Sequence, residues 1–420
     1  MTTVHHELPR GEFSALAQGG GGDAIARLVA AQRSRHRILV RAVAELARQG
    51  SGSGRGVALA GYDLLARVEL QDPGAADVVI SYPSVGVWAL HTLRGDQSLP
   101  GAAPSGLASV AAAAAIKAGI DAEIEVPVIN GTVLLPSLGA AEATGSTAAV
   151  RTKPAEVRSA GSRVAARPGA PGWQELRAAQ AGSLNILIDD VDPFRMPAND
   201  GAPTGRLTNP QVSDLVTSLR EAWTVLSPAM AAEIAAIVSV IVPYQAPEDG
   251  LVSTSSPQAF GTVAMSRQPD KYTCAETLVH ETQHLKLCAL LDLVTLTKPD
   301  DGQRYYAPWR TDPRPASGLL QGAYAFLGVS GFWREQREAA PEPLVRQRAE
   351  TDFARWRDAA ALVADTLLKS GQLTAAGQEF VTEMSLVLAA WRHEQVPEGA
   401  LDSARRKADS HLAQWRADNG

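Results

Sequence analysis

The sequence predicts a mainly α-helical protein of the α+β class, in which a modest β-rich segment separates two long helical regions. Apolar residues recur at helical spacing over most of residues 1–119 and again after residue 340. Between residues 120 and 195 the pattern changes to the two-residue alternation of strands. With 420 residues and 45% hydrophobic content, the chain can bury a large core.

The amino-terminal region, residues 1–119, is predicted to be helical. Residues 25–46 carry apolar side chains on one helical face, and glycine and serine at 50–54 end this helix. Three further segments are also predicted to be helical: 56–70, 78–95 and the alanine-rich 105–120.

Residues 120–205 form the predicted β-rich region. The Asn130-Gly131 pair between alternating apolar residues is typical of a β-hairpin turn. Further strands are expected in residues 146–161 and 183–195.

A third region, residues 206–340, begins with a helical pattern over residues 207–241 and contains a short strand candidate in "GTVAMS", residues 261–266. A long amphipathic helix is predicted directly after this strand. The final region, residues 341–420, has three segments of helical periodicity between turn residues, so we expect a helical bundle there.

Charge and composition exclude several classes of partner. The formal net charge of -6 gives no basic surface for a nucleic-acid backbone. No run approaches the roughly 18 apolar residues of a membrane span, and the first residues lack the pattern of a secretion signal, so we expect a cytoplasmic protein. The two cysteines, Cys274 and Cys288, are too far apart on one helix to pair, so free thiols are expected.

The stretch "AETLVHETQHLKLCALL", residues 275–291, contains the motif H-E-x-x-H at His280, Glu281 and His284. Residues four apart lie one turn above each other on a helix, so the two histidines can share one metal ion. In a zinc peptidase Glu281 would take a proton from the metal-bound water. Lys286, just after the motif, is expected to be solvated.

Two histidines do not complete a metal site, because catalytic centres of this type use three protein ligands. The downstream segment 305–336 should supply the third, yet no Glu, Asp or His occurs from residue 313 to 334. Gln321, on a helix predicted to start near Ser317, and Asp312 are the candidates. Asp312 precedes a proline, which favours a turn.

Several long stretches make a resemblance specific: "AETLVHETQHLKLCALLDL", "PWRTDPRPASGLLQGAYAFLGVSGFW", "VDPFRMP" and "STSSPQAFGTVAMS". In these the chain resembles the HExxH-motif proteins of ribosomal peptide (RiPP) pathways, which are α-ketoglutarate-dependent peptide β-hydroxylases. The resemblance runs over most of the chain to about residue 340 and is weaker in the C-terminal bundle.

The resemblance implies Fe(II) held by His280 and His284, with 2-oxoglutarate and O2 at open positions and a precursor peptide as substrate. The reaction would hydroxylate the β-carbon of a peptide side chain. Glu281 would orient ligands or water, and Gln321, from its place in the downstream helix, is the expected third ligand. Members of the family often have a histidine where Phe326 stands, so this chain departs from the pattern there.

A dicarboxylate cosubstrate needs a cation, and a guanidinium offers two parallel donors. Arg310 and Arg314 in "PWRTDPRP" are the nearest candidates in sequence, and Arg195 is the next. For each, an ordinary ion pair or a clamp on backbone carbonyls is the alternative.

Two other functions stay open at this stage. A zinc metallopeptidase of HExxH type would process a peptide, but the missing downstream carboxylate favours the oxygenase. A catalytically altered protein would keep the motif helix as structure and bind a peptide. A strand and the motif helix would form a zincin-like centre. In the oxygenase, an extended peptide substrate would pair with the edge of the "GTVAMS" strand.

Overall fold

The computed structural model describes residues 6–52, 54–96, 98–197, 202–248 and 250–419. Helices dominate and small sheets accompany them, so the expectation of a mainly α fold with a β component is confirmed. The helices are α1 (Arg10–Ala17), α2 (Ala24–Gln49), α3 (Arg55–Gln71), α4 (Pro73–Ile80), α5 (Pro83–Arg94), α6 (Gly106–Ala118), α7 (Asn209–Trp223), α8 (Pro228–Ile237), α9 (Lys271–Leu291), α10 (Ala316–Ala339), α11 (Pro343–Lys369), α12 (Ala375–Arg392) and α13 (Glu398–Asn419).

The strands of the described residues form three sheets. The strands are β1 (Glu123–Pro127), β2 (Thr132–Leu135), β3 (Gly139–Glu142), β4 (Thr147–Thr152), β5 (Ala155–Ser159), β6 (Ser162–Ala165), β7 (Trp173–Glu175), β8 (Arg177–Ala181), β9 (Leu184–Ile188), β10 (Val240–Pro243), β11 (Ser253–Thr254) and β12 (Thr262–Met265). Their orders are β1-β4-β5-β6, β2-β3-β7 and β11-β12-β10-β9-β8.

The predicted turn at Asn130-Gly131 is confirmed. Both residues have positive φ, 51° and 76°, as a tight hairpin turn requires, and Ile129 bridges Thr132 across it. The strands around the turn pair elsewhere, however, because β1 lies against β4 and β2 against β3.

The five-stranded sheet separates two hydrophobic cores. Along β10, Ile241 faces one core while Val240 and Val242 face the other, and on β12 Val263 and Ala264 divide in the same way. Both strands are buried on both faces and run parallel to each other. The core that contains Ile241 also includes buried side chains of α1 and of α9 to α12. The motif helix α9 therefore lies on that side of the sheet.

Two expectations about this sheet were wrong. The helical pattern predicted for residues 207–241 ends at Ile237, and the β-branched run that follows forms β10, because such residues fit a buried parallel strand. The "GTVAMS" strand is not an edge. As β12 it lies between β10 and β11, which fill both of its hydrogen-bonding sides, so a peptide cannot add there.

The carboxy-terminal bundle consists of α11, α12 and α13, as the sequence predicts. Helix α11 packs along α10 and contacts both α12 and α13. The division of the chain into four regions at residues 119, 205 and 340 stays a prediction, because both hydrophobic cores draw on separate parts of the chain.

Candidate metal centre

Helix α9 carries the H-E-x-x-H motif and is fixed at its start and along its length. The Asp270 side chain accepts hydrogen bonds from the backbone N–H groups of Tyr272 and Thr273, which caps the helix. Leu278 and Leu285 are completely buried in the core. The motif is therefore held on a rigid element between the sheet and α10.

His280 and His284 converge through the same ring nitrogen. Their Nε2 atoms lie 3.1 Å apart, and the ring planes are 76° from each other. Nitrogens that are each about 2.1 Å from one metal ion, at angles between octahedral and tetrahedral, lie about 3.0 to 3.4 Å apart. The spacing therefore fits a shared ion.

The protonation state of His280 suits the same role. Burial and the neighbouring His284 ring lower the pKa of His280 to about 4, so this ring is neutral at neutral pH. Only a neutral imidazole offers a lone pair to a metal. In a metal-free pair, His280 Nε2 can instead donate a hydrogen bond to His284 Nε2, so the nitrogens are satisfied in either state.

Gln321 reaches the site from α10, but at the opposite nitrogen of His284. Its Oε1 lies 3.0 Å from His284 Nδ1, and its Nε2 lies 3.6 Å from Cys288 Sγ. An amide oxygen only accepts, so His284 carries its proton on Nδ1 and keeps Nε2 free. In this conformation Gln321 orients a ligand; to bind a metal itself it would have to leave this hydrogen bond.

Phe326 on α10 packs against the ring of His280. The two ring centroids are 5.2 Å apart with an edge-on geometry, and Phe326 is itself enclosed by Trp309 and Trp356 at 4.8 and 4.3 Å. Within the described ranges, no group of three or more His, Cys, Asp or Glu side chains could hold a metal ion. The described part of the chain thus offers two candidate ligands and an aromatic wall beside them.

The Glu281 carboxylate is bound by two serine hydroxyls. It is 2% exposed, and its two carboxylate oxygens accept hydrogen bonds of 2.7 Å from Ser253 and Ser255. Ser253 belongs to β11, so these bonds tie the motif helix to the edge of the five-stranded sheet. Both oxygens therefore already have donors.

Arg310 and Arg314 are engaged with the acid between them. Asp312 accepts from Arg310 at 2.7 Å and from Arg314 at 2.9 Å, and the two hydrogen bonds lower the pKa of Asp312 to about 2. About half of the Arg310 side chain is exposed. Both arginines thus bind the carboxylate of Asp312 and not the histidines. The three side chains form an ion-pair triad.

Arg195 and the neighbouring acids have structural partners. Arg195 donates to the backbone carbonyls of Asp192 and Thr204, which is the clamp considered as its alternative role. Asp189 accepts from Tyr82 and Asp192 from Ser84, each at 2.7 Å. These contacts hold the chain after β9.

Two charged residues near the site were missed as site residues by the sequence reasoning. Glu276 lies one turn before His280, and burial raises its pKa to about 7 although Arg348 lies 3.3 Å away. Arg355 on α11 stacks over the Trp356 ring, which in turn contacts Phe326. No motif marks Arg355, because only the packing of α11 on α10 brings it near.

A comparison with protein-family models finds no match to this chain, and a comparison with curated proteins finds no significant similarity. Across the described segments, no helix combines the length and hydrophobicity needed to cross a membrane. The site geometry therefore carries the functional argument.

Proposed function

We propose that this protein is an Fe(II)- and 2-oxoglutarate-dependent oxygenase that hydroxylates the β-carbon of a side chain in a ribosomally made precursor peptide in the cytoplasm. The observation that carries the proposal is the 3.1 Å approach of His280 Nε2 and His284 Nε2, with Gln321 fixing the tautomer of His284. Such a pair would hold Fe(II), which with 2-oxoglutarate and O2 supplies the oxidising chemistry.

The missing downstream carboxylate favours the oxygenase over a zinc peptidase. Among the described residues no such carboxylate joins the histidines, where a peptidase of this motif would take its third ligand, whereas a chelating cosubstrate and O2 would occupy the other positions on iron. A zinc peptidase would also need Glu281 as a base, whereas both oxygens of Glu281 are bound by serines.

Several side chains have proposed roles around this pair. Phe326 and Trp356 would exclude water from the reacting side of His280. Arg355 would bind the distal carboxylate of the cosubstrate, and Arg310 or Arg314 would do so only after releasing Asp312.

The peptide would bind beside the motif helix in a zincin-like arrangement of strand and helix. Because β12 is internal, we place the peptide on β11, the outer strand of the sheet, whose Ser253 contacts Glu281. Extended peptides add to such an edge through main-chain hydrogen bonds. Peptide binding that survives Thr254→Pro would argue against this placement.

A catalytically altered peptide-binding protein is the second candidate, and Phe326 is the observation that favours it. Its ring fills the position beside His280 where the resembled family often has a histidine. In that case the two histidines would remain as a hydrogen-bonded pair without turnover.

The test loads the purified apo-protein anaerobically with Fe(II) and 2-oxoglutarate and looks for the visible charge-transfer band of the chelate. We expect the band in the wild type and in His393→Ala, which removes an exposed histidine, and its loss in His280→Ala. Tight zinc binding and Glu281-dependent peptide cleavage would identify a peptidase instead. Peptide binding without any metal-dependent reaction would identify the altered protein.

A further inference from the structure

A cavity lies on the side of α9 that is turned away from the histidines. It has a volume of about 200 Å³ and is walled by α8, α9, α10 and the turn between α1 and α2. At about 100° per residue, Val279 and Thr282 on α9 point more than a quarter turn away from both histidines, while Gln283 points about 60° away from His280. Neither histidine lines the cavity. The cavity is therefore separate from the candidate metal centre.

Three polar atoms in its wall are buried and find no hydrogen-bond partner among the described residues. They are Thr282 Oγ1, Gln283 Oε1 and Glu335 Oε2. Thr282 and Gln283 are only 3% and 5% exposed. A buried polar group without a partner is costly, so three such acceptors along one cavity indicate that a donor belongs there.

The charges around the cavity leave one carboxylate uncompensated. Glu233 is paired with Lys286 at 2.8 Å, and Arg334 is paired with Glu394 at 2.6 Å and lies over the Trp391 ring. Glu335 forms no ion pair with a cation in the described part of the chain. Desolvation raises its pKa, and a hydrogen bond from Ser227 and the Arg334 charge offset this rise only in part.

We infer that this cavity is a binding site for an alkylammonium group. An ammonium only donates hydrogen bonds, and the unpartnered atoms of this wall are acceptors that include a carboxylate oxygen. A guanidinium would prefer both oxygens of one carboxylate, but Ser227 already bonds to Glu335. Met230, Leu327 and Trp391 provide an apolar wall for the alkyl chain.

The group can come from a free alkylamine or from a lysine side chain of a peptide. The rim is open to both, because Gln18 and Arg334 at the rim are exposed. The inference does not depend on the metal centre, since neither His280 nor His284 lines the cavity and the Gln283 side chain donates to the Gly19 carbonyl instead.

The experiment is calorimetric titration of the full-length protein with n-butylammonium, with n-butanol and n-butyrate as uncharged and anionic controls. We expect saturable binding of the ammonium alone. Glu335→Gln keeps the shape of the side chain and should weaken binding about tenfold or more, because a charge-assisted hydrogen bond is lost. Thr282→Val, which keeps the volume of the side chain, should weaken it about threefold.

Glu338→Gln is the matched control, since Glu338 is an exposed acid on the same helix, and it should leave binding unchanged. A repeat titration with an N-acetylated, C-amidated lysine tripeptide separates the two sources. If the tripeptide binds at least as tightly as n-butylammonium, the site belongs to a peptide side chain. If the tripeptide does not bind, the site belongs to a free amine. No saturable binding of n-butylammonium by the folded wild type, or equal binding by Glu335→Gln and Thr282→Val, would overturn the inference and leave a hydrated cavity.

Discussion

Gln321 Oε1 lies 3.0 Å from His284 Nδ1, on the far side of the ring from the Nε2 atom that faces His280. A group in this position sets which nitrogen is protonated and which way the ring points. In the proposed metal centre, the glutamine would therefore prepare His284 to bind the metal without occupying a coordination position.

Gln321→Leu should weaken metal binding while leaving the protein folded. Loss of a ligand-orienting hydrogen bond typically costs about 10- to 100-fold in affinity, so we expect a loss of that size in a competition titration with a chelating dye. Gln414→Leu, on the exposed face of α13, should have no effect. Complete loss of metal from Gln321→Leu would instead identify Gln321 as a direct ligand.

Phe326→His should tighten metal binding. The Phe326 ring is in edge contact with His280, so an imidazole there can add a third nitrogen ligand to the pair. We expect a gain of about tenfold or more for Zn²⁺ in the same titration. Phe326→Leu, which also opens space but adds no ligand, should show no gain. Equal affinities for the two variants would contradict the proposed position of the metal.

Ser253→Ala and Ser255→Ala should each destabilise the protein. Each serine donates a hydrogen bond to the buried Glu281 carboxylate, and such bonds to charged groups contribute about 1.5–3 kcal/mol. The measurement is urea unfolding at neutral pH, with the exposed Ser183→Ala as control. Unchanged stability in both variants would mean that Glu281 does not depend on these donors.

Substitutions of the buried ion pair Lys286 and Glu233 should have strongly non-additive effects on the unfolding free energy. Lys286 is 1% exposed, and it donates to Glu233 Oε2 and to the carbonyl of Gly19. Lys286→Met leaves the Glu233 charge without its partner and should cost about 3–5 kcal/mol in unfolding free energy, most of which the double change with Glu233→Leu should restore.

Arg304→Met provides the comparison for this pair, because Arg304 and Asp300 form an ion pair in which both side chains are nearly half exposed. We expect a change below about 1 kcal/mol there. A similarly small effect of Lys286→Met would contradict a buried charge pair.

Protonation of His36 should lower the unfolding free energy as the pH falls below 6.5. Burial lowers its pKa from 6.5 to about 4, so the native ring is neutral while the unfolded ring gains a proton below pH 6.5. Stability from this group is full above pH 6.5 and is lost as the pH falls toward 4, by about 3 kcal/mol at most. Urea unfolding of wild type and His36→Asn at pH 7.0 and 4.5 measures this.

His36→Asn should reduce the difference in stability between the two pH values. Asn can still donate to the Ile80 carbonyl that His36 Nδ1 contacts. Asp189 and Asp192, whose pKa values burial raises, titrate in both proteins, so the comparison isolates the histidine. An equal pH dependence of wild type and variant would contradict the prediction.

Local patterns were enough to predict much of the fold. The helical period marked α2, α9, α10 and the carboxy-terminal bundle, and the Asn130-Gly131 turn followed from backbone preferences of the two residues. Free thiols at Cys274 and Cys288 are confirmed for the same reason, since positions on one helix fix their separation. Lys286 is the counterexample: it was expected in solvent and is buried, because its partner Glu233 lies 53 residues earlier.

The sequence by itself determined that His280 and His284 share a helix face, because four residues make about one turn. Only the tertiary structure decided what surrounds them. The packing of α10 on α9 sets Gln321 behind His284 and Phe326 beside His280, and β11 supplies the serines that hold Glu281. These contacts join residues that are far apart in the chain. Periodicity describes only the faces of a single element, so it could not predict which side chains of other elements surround the motif.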